Sequence, residues 1–341
     1  ADSGDYPALI GAGATRILDE DAALRPGARL FTAADRGAAA AAGALLPAGT
    51  EEPAFELEGG EPGKTFAAAE HLLGQLARAG VRRDDALVAF GGGVTGDLAG
   101  FCAAVYQRGI PFVGVPTTLL AQVDSAYGGK TGVDLPEAKN CVGAYHQPAA
   151  VLADPAALAT LPAAELAAGF AEVMKTALIA GGSLWERVRG IGSVDADGVA
   201  SLVFDCARTK IEVVAADERD AGRRAVLNLG HTVGHAIEVA GGYGRHRHGE
   251  AVGLGLLATL RLSGAEELRS EVAELLAGAG LPTSLDSGLG ADAVVAATGG
   301  DKKRTADGIG FVLLEAPGAA THGRSVGGDS LRAAVDELVE K

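Results

Sequence analysis

The sequence predicts a chain in two parts, an α/β domain built on a parallel sheet over residues 1–161 and a mostly α-helical domain over residues 162–341. Three observations predict it. Short apolar runs alternate with helical periodicity through the first part, as strand–helix–strand units require. A glycine-rich turn there joins a strand-like run directly to a helical one. After Leu161-Pro162 the strand-like runs give way to long Ala/Leu/Val helices.

In order, Ala28–Phe31 (ARLF) and Ala86–Phe90 (ALVAF) have the apolar density of buried strands, and Thr65–Ala79 between them has an amphipathic helical period. Ala38–Ala44 is alanine-rich and reads as an ordinary helix. Ile110–Val115 is a further strand, ended by Pro116, and Ala150–Ala153 is the last of the series. Beyond the boundary, helices are predicted over Ala163–Ile179, Ser193–Ala216, His231–Ala240, Gly249–Ser263 and Leu268–Ala277, interrupted by a single strand-like run, Ile309–Leu314. No internal repeat is apparent.

Hydrophobic residues make up 48% of the chain but aromatics only 4%, so Ala, Leu and Val must build the core. A net charge of −15 with no basic stripe disfavours nucleic acid and anionic membrane as partners. An anionic substrate would then need individually placed Lys and Arg residues. Cys102, Cys141 and Cys206 are widely spaced with no CxxC, which indicates neither a disulfide framework nor a Cys-ligated zinc. With no signal-peptide pattern and no apolar run of bilayer length, the expected location is cytoplasmic.

Two stretches carry chemistry. Gly91-Gly92-Gly93-Val94-Thr95-Gly96 fits GxGxxG, follows ALVAF and leads into a helix predicted over Asp97–Tyr106. Such glycines let the backbone approach a pyrophosphate, and the helix N-terminus supplies N–H donors. This is not the first strand–helix turn, and no acidic residue follows about 20 residues later to take a ribose, which argues against an ordinary Rossmann dehydrogenase. Gly128-Gly129-Lys130-Thr131 is no P-loop, because Asp124 stands where that motif needs glycine. In Asn228–Glu250, His231 and His235 are four apart and share a helix face, and His248 returns after a Gly-Gly-Tyr-Gly turn. Four of the chain's seven histidines fall in this stretch. Two or three of these imidazoles could hold a divalent metal if a carboxylate from elsewhere completes the set.

Taken together, GGGVTGDLAGF (91–101), YQRG (106–109), VPTTLL (115–120), VDSAYGGKTG (123–132), Lys139-Asn140, AEVMK (171–175), DER (217–219), LNLGHTVGH (227–235), HGE (248–250) and DKK (301–303) closely resemble 3-dehydroquinate synthase, of the sugar phosphate cyclases. The blocks run in family order from about Glu61 to about Leu314. The resemblance implies a Rossmann-like NAD domain followed by a helical metal- and substrate-binding domain. It also implies a lyase that converts 3-deoxy-D-arabino-heptulosonate 7-phosphate, a phosphorylated sugar acid, to 3-dehydroquinate and phosphate, with NAD regenerated in each turnover. This is a step of the shikimate pathway.

By motif position it implies Glu172, His231 and His248 as ligands of zinc (or cobalt), with His246 read as solvated loop. It implies Lys210, Arg224 and a lysine of Lys302-Lys303 for the substrate carboxylate. Lys130, Asn140, Asn228, His235 and Arg108 would meet the phosphate, Arg108 from a neighbouring subunit, hence a homodimer. Asp124 and Lys175 complete the polar wall. For NAD it implies Glu61, Lys64, Gly92, Gly93, Val94, Thr95, Gly96, Asp97, Thr117, Thr118, Lys139 and Thr160. One position departs: the family usually has Asp or Asn directly after the Thr that ends the first long strand, and here that place is Ala33, with Asp35 two residues on. Asp35 is expected to substitute.

The nearest rival reading is an amino-dehydroquinate synthase of an antibiotic pathway, which keeps nearly the same site. A metal-dependent alcohol or glycerol dehydrogenase is a third reading, and predicts net NADH. The metal assignment has a direct check: metal analysis of purified variants is expected to find the ion lost in His248→Ala and retained in His246→Ala.

Overall fold

The computed structural model describes residues 5–19, 27–242, 244–286, 288–298, 304–305 and 308–339; Lys302 and Lys303 lie outside them. The chain divides into two compact units, Ala1–Pro162 and Ala163–Lys341.

The first unit runs β1 (Ala8–Ile10), β2 (Leu30–Asp35), α1 (Arg36–Ala42), β3 (Thr50–Leu57), α2 (Phe66–Arg78), β4 (Ala86–Gly91), α3 (Gly93–Val105), β5 (Phe112–Pro116), β6 (Lys130–Leu135), β7 (Ala138–Tyr145) and β8 (Ala150–Ala153). Six strands form one sheet in the order β1-β8-β5-β4-β2-β3, parallel throughout. β4, β5 and β8 are buried at every residue, so they read as unbroken apolar runs rather than alternating ones. Their side chains serve two cores: Leu87 and Ala89 face Leu72, Leu76 and Leu98 of α2 and α3, while Val88 and Phe90 face the α1 side with Ala42. β6 and β7 pair antiparallel as a separate hairpin.

Four strand regions of this unit differ from expectation, the first being the short edge strand β1, which was not foreseen. β3 was not foreseen because TEEPAFEL carries three glutamates and a proline, a composition that suits the edge position it occupies. β2 begins at Leu30 and continues to Asp35, held by pairing through Ala34–Phe90, so Ala33 is a buried mid-strand residue. The hairpin β6–β7 was also unforeseen.

The second unit comprises α4 (Ala163–Ala180), α5 (Gly182–Arg189), α6 (Ala196–Ala216), α7 (His231–Ala240), α8 (His248–Leu262), α9 (Glu266–Gly278), α10 (Ala291–Thr298), β9 (Arg304–Thr305), β10 (Gly308–Leu314), β11 (Ala320–Ser325) and α11 (Gly328–Asp336). α4 is buried without interruption from Leu166 to Leu178, and α8 on nearly every side from Gly249 to Leu260. Helices apolar all round belong at the centre of a bundle, and α8 packs on α4, α7, α9 and α11. The run expected to be a lone strand is β10, which pairs antiparallel with both β9 and β11.

One buried charge ties the first sheet together. Asp85, fully buried before β4, accepts the backbone N–H groups of Arg29 (3.2 Å) and Arg82 (2.7 Å) and both guanidinium groups, Arg29 Nη2 at 2.6 Å and Arg82 Nη2 at 3.0 Å. Burial alone would raise its pKa, but these donors outweigh it and hold the carboxyl well below the usual range. Asp85→Ala is expected to cost about 1–3 kcal/mol at pH 7, since it removes the shared acceptor of two backbone N–H groups and two half-exposed to exposed guanidinium groups. Because the folded-state pKa is depressed, that contribution is complete above the unfolded carboxylate value, roughly 4, and drains away as pH falls toward the folded value. Denaturant melts of both proteins at pH 7, 5 and 3 should show the stability gap unchanged between the first two and narrowed at the third.

Candidate active site

In the first unit the polar residues collect at the C-terminal ends of β2, β4 and β5. β4 passes through Gly91 and Gly92 into α3, which starts at Gly93 and not at Asp97, so the glycine turn is itself the first turn of the helix. Close packing dictates several of these glycines. Gly91 has φ +159°, and a Cβ there would lie 2.5 Å from Thr95 Oγ1 and 2.9 Å from Asp35 Cβ; one on Gly93 would lie 2.8 Å from Ser125 Oγ. At Gly96 a Cβ would meet nothing, and this residue lines a pocket with Gly92, Gly93, Asp97, Ser125 and Lys130. No side chain caps α3, so its first N–H groups and its dipole are left for an anion.

Around this turn Lys64 is 3% exposed, and its Nζ donates to Asp97 Oδ2 and Asn140 Oδ1, both at 2.5 Å. Burial disfavours the ammonium, but Asp97 beside it more than compensates and raises its pKa above the ordinary lysine value. Lys139 pairs with Glu61 at 3.3 Å, and Asp134 N–H donates to Lys64 O, docking the β6–β7 hairpin onto the same loop. Asn140, expected at the substrate phosphate, accepts from Lys64, which is expected at NAD, and has a left-handed conformation at φ +53°.

The Thr117 N–H donates to Gly91 O, and Thr118 Oγ1 accepts from Ala121 N–H at 3.2 Å. The π-helical turn that follows, Ala121–Ser125, carries Asp124; such wide turns are rare and concentrate at functional sites. Val94 is half-buried on α3. Thr160 stands apart, exposed at the end of the turn Pro155–Thr160 with its hydroxyl donating to Ala157 O. Asp35 ends β2 beside Gly91 and caps α1 by accepting Ala38 N–H at 2.8 Å. The strand-end acid is thus Asp35, because the strand runs three residues beyond Thr32. Arg108 is exposed on a turn in which Gln107, Arg108 and Gly109 all have positive φ (48°, 65°, 118°), a strain of about 1–3 kcal/mol per non-glycine residue. The Gln107 side chain, donating to Val81 O, and Arg83, donating to Gln107 O, hold the turn.

In the second unit three helices converge on one carboxylate. Glu172 on α4 is fully buried, with Oε1 3.5 Å from His231 Nε2 and 3.3 Å from His248 Nε2. The Lys175 ammonium, one turn on, lies 2.5 Å from Oε2. Burial would raise the Glu172 pKa, but Lys175 and then the two histidines outweigh it and hold it well below the carboxylate range. Burial pushes His231 well below the ordinary histidine value, with Lys175 adding to it; for His248 burial is overcome by Glu172 and Glu238, which raise it to about 10.

These residues fit a divalent cation. One ligand atom from each of Glu172, His231 and His248 lies within 4.8 Å of the others, and Glu172 Oε1 faces both Nε2 atoms. His231 Nδ1 contacts Leu229 O at 3.2 Å, which fixes the proton there and leaves the Nε2 lone pair facing Glu172. One carboxylate and two imidazoles leave coordination positions open, as a catalytic site requires. His235 packs edge-on to His231 at 5.3 Å between ring centroids. His246 is half-buried rather than solvated, with a shielded Nδ1, and belongs to neither ligand group found among the described residues. Arg224 is buried, donating to Glu218 O at 2.6 Å, Lys210 is buried on α6, and Asn228 Nδ2 donates to Ala225 O. Glu238, absent from the sequence reading, sits against His248 Nδ1 at 3.5 Å. Its signal was its spacing, three residues after His235 on the same helix face.

Residues 54–168 match the model of the 3-dehydroquinate synthase N-terminal family and residues 169–304 that of the 3-dehydroquinate synthase C-terminal family. The chain is 44% identical over 306 residues to the 3-dehydroquinate synthase of Caulobacter vibrioides, covering 85% of this chain and 82% of the relative. Among solved structures it is similar to ValA, the 2-epi-5-epi-valiolone synthase of Streptomyces hygroscopicus subsp. jinggangensis 5008 with NAD+ and Zn2+ bound, at 26% identity and TM-score 0.87, covering 98% and 97% of the two chains. It is also similar to a 2-deoxy-scyllo-inosose synthase complexed with carbaglucose-6-phosphate, NAD+ and Co2+, at 26% identity and TM-score 0.83, with the same coverage.

The ligand geometry depends on how closely α8 approaches its neighbours. A Cβ on Gly249 would lie 1.9 Å from Ala168 O of α4, and one on Gly255 would lie 2.0 Å from Gly230 O, just before His231. Gly249→Ala is expected to destabilise the protein by about 1–3 kcal/mol and to weaken metal binding. Gly278→Ala, where a Cβ meets nothing, should change stability by at most about 1 kcal/mol and leave metal affinity intact. Thermal melts and metal titration of the two variants test this.

Proposed function

The chain belongs to the 3-dehydroquinate synthase family, and on that premise we propose that it converts 3-deoxy-D-arabino-heptulosonate 7-phosphate to 3-dehydroquinate and inorganic phosphate, using NAD and a divalent cation, zinc or cobalt. The observation that carries this is the buried Glu172–His231–His248 group with Lys175 against it, in a chain 44% identical to a 3-dehydroquinate synthase. The same relative favours the oxygen substrate over its amino counterpart. Buried Arg224 and Lys210 supply cations for a carboxylate, which the substrates of the valiolone and deoxy-inosose cyclases lack.

When bound, NAD supplies reversible redox chemistry and the cation supplies Lewis-acid polarisation of the reacting hydroxyl. Over the cycle the substrate loses phosphate and closes a carbon ring with no net change of oxidation state. The chain's own groups do the rest. Glu172, His231 and His248 hold the cation. Arg224 presents a planar fork and Lys210 and Lys302 or Lys303 a point charge to the substrate carboxylate. Within the second unit Asn228 and His235 receive the phosphate, and the His235 imidazole holds or gives up a proton there. Glu61, Lys64, Asp97, Lys139 and the α3 N-terminus, with Thr117 and Thr118, hold the NAD, and Asp35 faces its ribose.

A homodimer and a cytoplasmic location belong to the same proposal. The exposed Arg108 on its strained turn supports the first, as a residue offered to a neighbouring subunit's phosphate site. Among the described residues no helix is long and apolar enough to cross a membrane, which is compatible with the second.

The test follows phosphate release and nicotinamide absorbance together, with protein, zinc, substrate and sub-stoichiometric NAD. Many phosphates per NAD with no lasting NADH are expected. NADH growing with turnover would mean a dehydrogenase, and phosphate released only from the 4-amino analogue would reassign the substrate.

A further inference from the structure

We propose that Glu238 is a positioning residue for the metal site, holding the His248 imidazole so that Nδ1 keeps the proton and Nε2 is offered to the cation. The inference rests on the metal-site reading above and extends it to a residue outside the ligand set.

Two independent observations carry it. The first is geometric. The His248 ring is bracketed by carboxylates, Glu172 Oε1 at 3.3 Å from Nε2 and Glu238 Oε2 at 3.5 Å from Nδ1. His231 has the same arrangement with a different acceptor, since its Nδ1 contacts the Leu229 carbonyl. Both ligand histidines therefore have Nδ1 against an oxygen and Nε2 against Glu172. A carboxylate on the far nitrogen fixes the tautomer and ring orientation and makes the ligating nitrogen more basic. His248 needs such a device more than His231 does, because it sits at the first residue of α8 and its side chain is 35% exposed, against 10% for His231.

The second observation is a reversal of the hydrophobic pattern on α7. Glu238 is buried at 8% exposure, while its neighbour Val239 is 47% exposed. Turning a carboxylate inward and a valine outward costs stability twice over unless the carboxylate is paired. Packing alone would favour an apolar residue at 238. The site facing it explains the glutamate.

Glu238 also forms, with His235 and His248, a second group whose ligand atoms lie within 4.8 Å of one another. If Glu238 ligated a cation of its own, His248 Nδ1 would have to give up its proton. The role proposed here needs that proton retained, so the two alternatives differ in metal stoichiometry.

The experiment uses the full-length protein, Glu238→Gln and Glu238→Ala, each stripped and titrated with Co2+ and with Zn2+ against a competing chelator. One ion per chain is expected in all three, with affinity lowered about 10- to 100-fold in Glu238→Ala. A smaller loss is expected in Glu238→Gln, whose amide oxygen still accepts from Nδ1. The visible d–d spectrum of bound Co2+ should shift in both variants, which a general loss of stability would not produce. Equal affinities and unchanged Co2+ spectra in a folded Glu238→Gln would overturn the role of Glu238 while leaving the metal site standing. A second ion in the unsubstituted protein, lost in Glu238→Gln, would overturn it in favour of ligation. Absence of binding by the unsubstituted protein would overturn both readings. Should Glu238→Ala fail to fold, the near-isosteric Gln variant decides alone.

Discussion

The close approach of α8 to α4 and α7 is the constraint on which the second unit depends. Glu172, His231 and His248 come from three helices, and no local sequence rule brings them together. What does is the absence of side chains at Gly249 and Gly255, which lets backbone meet backbone where a methyl group would collide with a carbonyl oxygen. Gly249 directly follows one candidate ligand, His248, and Gly255 packs on the residue directly before another, His231. Glu172, His231 and His248 are thus brought together by small residues whose own side chains take no part.

Close packing then creates an electrostatic problem that the chain solves with its own charges. Glu172 is sealed from water, and an unpaired carboxylate there would be costly. Lys175 on the same helix face and the two imidazoles keep it ionised. In the first unit the buried Lys64 is held charged by Asp97 and accepted by Asn140. In both units a charge kept ionised in a dry environment interacts more strongly with an incoming charged group than it would in water. Arg224 and Lys210 are buried as well.

Much of this was legible in the sequence, for identifiable reasons. β4, β8 and α7 were found nearly to the residue because buried parallel strands leave unbroken apolar runs and helices leave a regular period. β3 was hidden by the glutamates of an edge strand, and β9 and β11 by their short or exposed lengths. The candidate metal ligands were half legible. The spacing of His231, His235 and His248 was visible, whereas Glu172 lies 59 residues before His231 in an Ala/Leu helix and could be named only by resemblance of the AEVMK block. The π-helical turn at Ala121–Ser125 has no local signature, and Glu238 was overlooked because α7 buries it and exposes the adjacent valine, against the apolar period. Asn140 was paired from sequence with a phosphate. Only the fold of the hairpin revealed that it lies against Lys64.

The outermost strand of the large sheet has a consequence for how the chain is made. β1 pairs with β8, Ala8 opposite Val151, and the residues just after it are tied to the same region by Gly13 N–H donating to Asp154. Everything else in the sheet lies between them in sequence. On a ribosome, β1 emerges first but has no partner until β8 has cleared the exit tunnel, so it waits through synthesis of nearly the whole unit. A contact of such long sequence separation closes late and slowly. Until then β8 presents an open edge on the side that β1 covers in the finished sheet.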